Sequence, residues 1–199
     1  SECRKMGINV LPPDINESYA GFTITGGKSF GEESRDLRFA RYKEPPKEKG
    51  DNIRFGLAAV KNVSANAVEA IVSERQKGGS FESMADFCLR VDSGVNRRSV
   101  EGLIMVGAFD SMGEHRAKLL ENLENITKSV KSAKKDLERG QLSLFGGGSK
   151  ESKIPKVEVQ LEDCEPWCEE EILNHEKEFL GFYLSGHPLD LYEDIFKYY

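Results

Sequence analysis

The fold is decided at residues 57–72, which read Leu57-Ala58-Ala59-Val60-Lys61-Asn62-Val63-Ser64-Ala65-Asn66-Ala67-Val68-Glu69-Ala70-Ile71-Val72. Apolar residues at helical spacing flank a polar turn, which predicts one helix through Leu57–Lys61 and a second from Asn66 to about residue 76. In the turn, Asn62 tolerates left-handed backbone dihedrals better than most residues, and Ser64 is a good helix cap. We therefore expect a tight hairpin in which Val63 fills the space between the two helices.

Two helices joined in this way form the helix-hairpin-helix motif, which binds the DNA backbone. The hairpin amides and the N-terminus of the second helix point at a phosphate. The hairpin usually reads Gly-hydrophobic-Gly, whereas Asn62 and Ser64 occupy the glycine positions here, which leaves the close approach of a phosphate open. The predicted DNA-binding residues of this first copy are Lys61, Asn62, Val63, Ser64 and Asn66.

A second copy of the motif fits Val100–Leu123, with residues 107–111 as its hairpin. Two copies would grip the two strands of a duplex across the minor groove, and nearby cations would bind phosphates. The further predicted DNA-binding residues are Gly107 and Ala108 in the hairpin and the cations Arg97, Arg98, Arg116 and Lys118. The alternative is that both copies are helix-packing units without a ligand.

The remaining patterns predict a mostly α-helical chain with a small α+β N-terminal part. Strand composition occurs at Phe22–Thr25, Leu37–Phe39 and Ile53–Phe55. Four more helices are predicted: one capped by Ser80, one over Arg97–Val106, one from near Glu114 through Val130, and one from about Cys168 to Leu184.

A separate pattern lies between the predicted helices, at Gln141, Leu142, Ser143, Leu144 and Phe145. Peptides that bind ring-shaped sliding clamps combine a glutamine, whose amide bonds the rim of a pocket, with a Leu-Phe pair that enters an apolar cleft. Glycines 146–148 follow directly and are typical of a flexible linker. We expect a clamp-binding peptide here; the alternative is that these side chains pack on the protein's own surface.

Composition limits the possible classes of protein. The chain has 38% hydrophobic and 31% charged residues, and no apolar run reaches the roughly 18 residues of a membrane span. Its net charge of −6 disfavours nucleic-acid binding, but the acidic residues concentrate in 161–178 and the remainder is close to neutral. The chain starts at Ser1 without a methionine and ends in an aromatic-rich stretch, which we interpret as a segment of a longer protein.

No catalytic or metal centre is expected. Cys164 and Cys168, followed by His175, suggest zinc, but a structural zinc site needs four ligands and no second pair is present. Reduced thiols are the preferred interpretation. Neither His115 nor His187 stands beside a nucleophile or base at useful spacing.

Several stretches together resemble the alpha-subunit family of bacterial DNA polymerase III, the C-family replicative polymerases. They are residues 2–16 (Glu2-Cys3-Arg4-Lys5-Met6-Gly7-Ile8-Asn9-Val10-Leu11-Pro12-Pro13-Asp14-Ile15-Asn16), 53–57, 107–110 and 181–190, in the family's order. The resemblance covers nearly the whole chain.

This resemblance implies a domain organisation. Residues 1–50 would be the end of the fingers region, 53–131 a tandem helix-hairpin-helix domain that holds duplex DNA, and 132–160 a linker carrying the clamp-binding peptide. Residues 161–199 would form a helix leading to an oligonucleotide-binding domain beyond Tyr199.

The resemblance also implies a function. The family extends primers with deoxynucleotides, using palm carboxylates that bind magnesium and that would lie upstream of Ser1. We therefore expect no catalytic residue and no cofactor in this segment, with double-stranded DNA, the sliding clamp and other replicase subunits as partners in the bacterial cytoplasm. The alternatives are a helix-hairpin-helix module of a repair ligase or nuclease, and a protein-interaction module that does not bind DNA.

Overall fold

A computed structural model of the chain describes residues 7–25, 52–91, 94–138, 157, 159–186 and 188–189. Three short strands form one sheet: β1 (Asn9–Leu11), β2 (Thr23–Thr25) and β3 (Asn52–Arg54). The central strand β3 runs parallel to β1 and antiparallel to β2, so that Ile53 lies opposite both Val10 and Ile24. The predicted strands at Phe22–Thr25 and Ile53–Phe55 are confirmed, and the one at Leu37–Phe39 lies outside the described residues.

Six α-helices account for about half of the described residues, which confirms the predicted fold class. They are α1 (Ala65–Gly78), α2 (Met84–Arg90), α3 (Arg97–Met105), α4 (Arg116–Glu121), α5 (Leu123–Glu138) and α6 (Glu169–Leu180). Two 3₁₀ turns, Leu57–Ala59 and Asp110–Met112, precede α1 and α4 respectively. Within the described ranges, no helix is long and apolar enough to cross a membrane.

Two helix starts differ from prediction. The helix expected through Leu57–Lys61 is only the 3₁₀ turn Leu57–Ala59, because the chain bends into the hairpin directly after it. The cap predicted at Ser80 is wrong: Ser83 caps α2 by accepting the amide of Asp86. Phe81 causes the shift, since its amide donates to Asn16 Oδ1 at 2.7 Å and its ring is buried.

Two further predicted helices break or end at places that the sequence did not predict. The helix predicted from Glu114 through Val130 is divided at Asn122, whose side-chain amide bonds the backbone of Glu162 in both directions. The last helix ends at Leu180 instead of Leu184. Buried Glu176 accepts the amides of Leu184 and Ser185 at 2.7 and 2.8 Å, which folds the chain back after Gly181.

One hydrophobic core joins the N-terminal segment to the helices. Phe87 makes edge-on contacts with Phe81 and Phe109, at centroid distances of 5.2 and 5.1 Å, and these rings are surrounded by aliphatic residues of α1, α3, α4 and α5. Ile15, from the segment after β1, is fully buried in the same cluster. Arg75 of α1 fixes that segment by donating to the carbonyl of Ile15 at 2.9 Å.

Candidate nucleic-acid interface

The first hairpin has the geometry expected from its sequence. Asn62 has a φ of 69°, in the left-handed region, and reverses the chain after Lys61. Ser64 caps α1, its Oγ accepting the amide of Ala67 at 3.2 Å. Val63 is 9% exposed and belongs to the core cluster, so it fills the space beneath the turn.

The N-terminus of α1 opens to solvent beside this turn. Ser64, Ala65 and Asn66 are all exposed. Their amides find no acceptor among the hydrogen bonds of the described part of the chain, as is usual for the first turn of a helix. Such amides, together with the helix dipole, favour a negatively charged group at this end.

The N-terminus of α3 lies next to the same turn. Asn96 caps α3 by accepting the amide of Ser99, and the Ser99 hydroxyl donates to the carbonyl of Asn62 at 2.6 Å. Gly94 packs on α1, where an added Cβ would lie 2.8 Å from the Cβ of Ala70. Two helix N-termini therefore lie side by side, and Arg97 and Arg98 are exposed at the second.

Seven predicted DNA-binding residues thus come together around one turn. Val63 is buried beneath the turn. The other six are exposed and are called the hairpin surface below: Lys61, Asn62, Ser64, Asn66, Arg97 and Arg98.

Two of the three cations of the hairpin surface have acidic partners. Lys61 pairs with Glu178 of α6 at 3.2 Å, with both side chains more than half exposed. Arg97 pairs with Glu101 at 2.7 Å, and this hydrogen bond raises the pKa of Arg97. Arg98 forms no ion pair within the ranges that the structure describes. Exposed pairs are weak, so a phosphate can replace either carboxylate.

The predicted second hairpin is built differently. Gly107 has a φ of 78° and closes the end of α3: its amide bonds the carbonyl of Ile104, and that of Ala108 bonds the carbonyl of Leu103. Both Gly107 and Ala108 are buried, and the carbonyl of Ala108 accepts the amide of Ile15. This turn therefore faces the interior, and its contact with DNA stays a prediction.

The cations near the second turn are bonded within the protein. Arg116 lies over Gly107 and bonds Asp110 at 2.7 Å, with buried Glu176 at 3.6 Å. Lys118 pairs with Glu114 and Asp163, and the hydrogen bond to Asp163 raises its pKa. In the described ranges, no hydrogen bond or ion pair joins these residues to the hairpin surface.

The predicted clamp-binding peptide lies outside the described residues: Gln141, Leu142, Ser143, Leu144 and Phe145.

The described cysteines Cys88, Cys164 and Cys168 are free thiols, and burial raises the pKa of Cys88 to about 11. Among the residues described, no group of three or more His, Cys, Asp or Glu side chains is arranged to hold a metal ion.

Sequence reasoning missed the residues that hold the hairpin from outside. Ser99 contacts it through its hydroxyl, and the carbonyl of Phe179 in α6 accepts the amide of Lys61 at 2.9 Å. Neither contact has a local sequence signal, because the partners are 37 or more residues apart. Only Gly102 gives a hint, since a glycine inside a helix often marks a close approach: an added Cβ would lie 2.8 Å from the carbonyl oxygen of Lys61.

These features define a class of protein. The chain belongs to the helix-hairpin-helix motif family, which matches residues 7–119. It is also 36% identical over 192 residues to DNA polymerase III subunit alpha of Escherichia coli (strain K12). The same subunit of Saccharopolyspora erythraea is 36% identical over 195 residues, and that of Pasteurella multocida 37% identical over 192.

Each of these matches covers 96% of this chain and 14% of the relative. The chain therefore spans 14% of the length of the curated relatives it matches. It is homologous to a segment of bacterial DNA polymerase III alpha subunits, which confirms the resemblance found in the sequence.

Proposed function

We propose that this chain is the part of a bacterial replicative DNA polymerase that holds duplex DNA without taking part in the chemistry. The observation that carries the proposal is the hairpin surface, where two capped helix N-termini and the exposed Arg98, which has no ion pair with a described residue, surround one exposed left-handed turn. Phosphates bind backbone amides and helix N-termini of this kind without reading sequence. The DNA contact is then sequence-independent, as a replicative enzyme needs.

Two features of the hairpin surface would hold a phosphate: backbone amides and cationic side chains. The amides at the start of α1 would donate to the phosphate oxygens, while Asn62, with its φ of 69°, reverses the chain beside them. Lys61, Arg97 and Arg98 add charge around that point and displace counterions from the DNA. Binding therefore weakens as salt rises.

Fluorescence anisotropy with a labelled duplex over a salt series tests this proposal. Lys61→Ala and Arg98→Ala should each weaken binding about three- to tenfold at low salt and reduce the slope of log K against log salt by about one. Lys77→Ala is the matched control for Lys61→Ala, since Lys77 is also more than half exposed and paired with a glutamate, but lies at the far end of α1. Equal losses from Lys77→Ala and Arg98→Ala would mean that net charge alone, and not the hairpin surface, drives binding.

The wider assignment follows from the relatives. Proteins named DNA polymerase III subunit alpha are homologous over 96% of this chain, which favours a polymerase over a repair ligase or nuclease. The whole protein would then be a DNA-directed DNA polymerase whose magnesium-binding carboxylates lie outside these 199 residues, working with other replicase subunits.

The second part of the proposal is attachment to a sliding clamp through Gln141–Phe145. Leu144 and Phe145 would enter an apolar cleft of the ring, a contact in which a few side chains supply most of the binding energy. Titration of the chain against the cognate clamp should show binding that the Leu144→Ala/Phe145→Ala double variant abolishes. Binding of both proteins, or of neither, would remove the clamp from the proposal; clamp binding without DNA binding would indicate a protein-interaction module.

A further inference from the structure

The backbone at residue 62 is unusual for the residue that occupies it. Asn62 is the only non-glycine residue with positive φ in the described part of the chain, whereas five glycines there have positive φ. A side chain in the left-handed region costs energy, although asparagine tolerates it best after glycine. A turn that must present its amides in one arrangement therefore needs support when glycine is absent.

Ser99 supplies a fixed point for that turn. Its side chain is fully buried, and its hydroxyl donates to the carbonyl of Asn62 at 2.6 Å. The residue sits in the first turn of α3, whose Leu103 and Ile104 are fully buried in the core. The hydroxyl is thus mounted on a rigid helix and orients the peptide that follows Asn62.

The peptide before Lys61 is anchored from a different helix. Its amide donates to the carbonyl of Phe179 at 2.9 Å, and Gly102 leaves the space that this approach requires. The peptides on both sides of the Lys61-Asn62 pair are therefore held by α6 and α3, and the left-handed residue lies between them.

We propose that Ser99 is a positioning residue, which holds Asn62 in the left-handed conformation so that the hairpin contacts a phosphate without a glycine at this position. The inference rests on the proposed DNA binding, and it adds a residue outside the hairpin on which that binding depends. Ser99 does not touch the phosphate, because its hydroxyl is buried beneath the turn.

A double-mutant cycle with Ser99→Ala and Asn62→Gly tests the proposal on the whole 199-residue chain. Glycine adopts positive φ without support, so the two changes should be coupled. Ser99→Ala should weaken duplex binding about three- to tenfold in the parent chain and less than about twofold in the Asn62→Gly background. The same loss in both backgrounds, or no loss in either, would overturn the proposal.

A second readout separates this inference from the proposed function. Amide hydrogen exchange at Val63, whose amide donates to the carbonyl of Val60 at 3.2 Å, should become faster in Ser99→Ala but not in the double variant when it is measured without DNA. If the parent chain binds no duplex, the proposed function fails, and exchange alone decides whether Ser99 holds the turn. If the effects of Ser99→Ala and Asn62→Gly on amide exchange are coupled but Ser99→Ala leaves duplex affinity unchanged, the positioning role is overturned.

Ser83→Ala is the matched control for general loss of stability. Ser83 also bonds near the start of a helix, at the cap of α2, and has no contact with the hairpin in the described ranges. Its removal should leave duplex affinity and the exchange of the Val63 amide unchanged. An affinity loss equal to that of Ser99→Ala would show that reduced stability explains both.

Discussion

At the scale of single residues, the same backbone conformation serves two different purposes in this chain. Asn62 and Gly107 both have positive φ. The turn at Asn62 is exposed and leaves the α1 N-terminus open, whereas Gly107 is buried and closes the end of α3 beneath Arg116. The two turns differ because the charged side chain of Arg116 covers the turn at Gly107.

Replacing Gly107 by alanine should therefore destabilise the fold for two reasons. The residue needs positive φ, and an added Cβ would lie 2.5 Å from both the guanidinium carbon of Arg116 and a carboxylate oxygen of Asp110. These side-chain ends are paired with each other, and Arg116 also with buried Glu176, so moving them away would break those ion pairs. We expect a loss of about 2–4 kcal/mol in the free energy of unfolding, measured by urea denaturation. Gly113→Ala is the control: Gly113 also has positive φ, but beyond its chain neighbours no atom of the described residues lies within 4 Å of the added Cβ, so about 1 kcal/mol should be lost. Equal losses would mean that backbone strain accounts for the whole effect.

At the scale of elements, buried polar side chains decide where helices stop. Asn122 separates α4 from α5 and binds the extended segment around Glu162. Glu176 of α6 accepts the amides of Leu184 and Ser185, which turns the chain back after the end of α6. In both cases one buried side chain is hydrogen-bonded to backbone groups that lie outside its own helix.

Asn122→Ala should release the segment at residues 159–167. The variant loses the hydrogen bonds to both backbone groups of Glu162, for an expected loss of about 2 kcal/mol in the free energy of unfolding. Amide exchange in 159–167 should become faster while that of α1 stays unchanged. Asn125→Ala, an exposed asparagine one turn along α5, is the control and should leave both measurements near the parent values. Unchanged exchange in Asn122→Ala would show that the apolar contacts of Val159 and Leu161 suffice to hold the segment.

At the scale of the whole molecule, an acidic chain presents a basic surface by sorting its charges. The net charge is −6, yet the exposed hairpin surface carries Lys61, Arg97 and Arg98. Within the described ranges, the acidic helix α6 contributes one ion pair to this surface, between Glu178 and Lys61. Net charge therefore describes long-range repulsion from DNA, while the local arrangement determines where DNA can bind.

Glu178→Gln should raise the affinity for duplex DNA. Removing the carboxylate frees Lys61 and lowers repulsion, which gives an expected increase of about two- to threefold at low salt that disappears as salt rises. Anisotropy titrations at two salt concentrations would measure it. Glu170→Gln removes the same charge from the other end of α6 and is the control, with a smaller increase expected. An equal increase from both variants would mean that only the total charge matters.

Local sequence determined the parts of this protein whose partners lie within a few residues. The Ser64 cap, the left-handed Asn62 and the apolar faces of α1 and α3 depend on neighbours in the chain, so spacing and residue type predict them. The first half of the candidate interface could be predicted for the same reason.

Tertiary structure alone decided the rest. The start of α2 depends on Asn16, 65 residues before Phe81, and the break at Asn122 depends on a residue 40 positions later. The second turn looks like a hairpin by composition, but Arg116 and Asp110 close over it once α3 and α4 pack together. Spacing cannot reveal these outcomes, because a buried polar group takes whichever partner the packed helices bring within hydrogen-bonding distance.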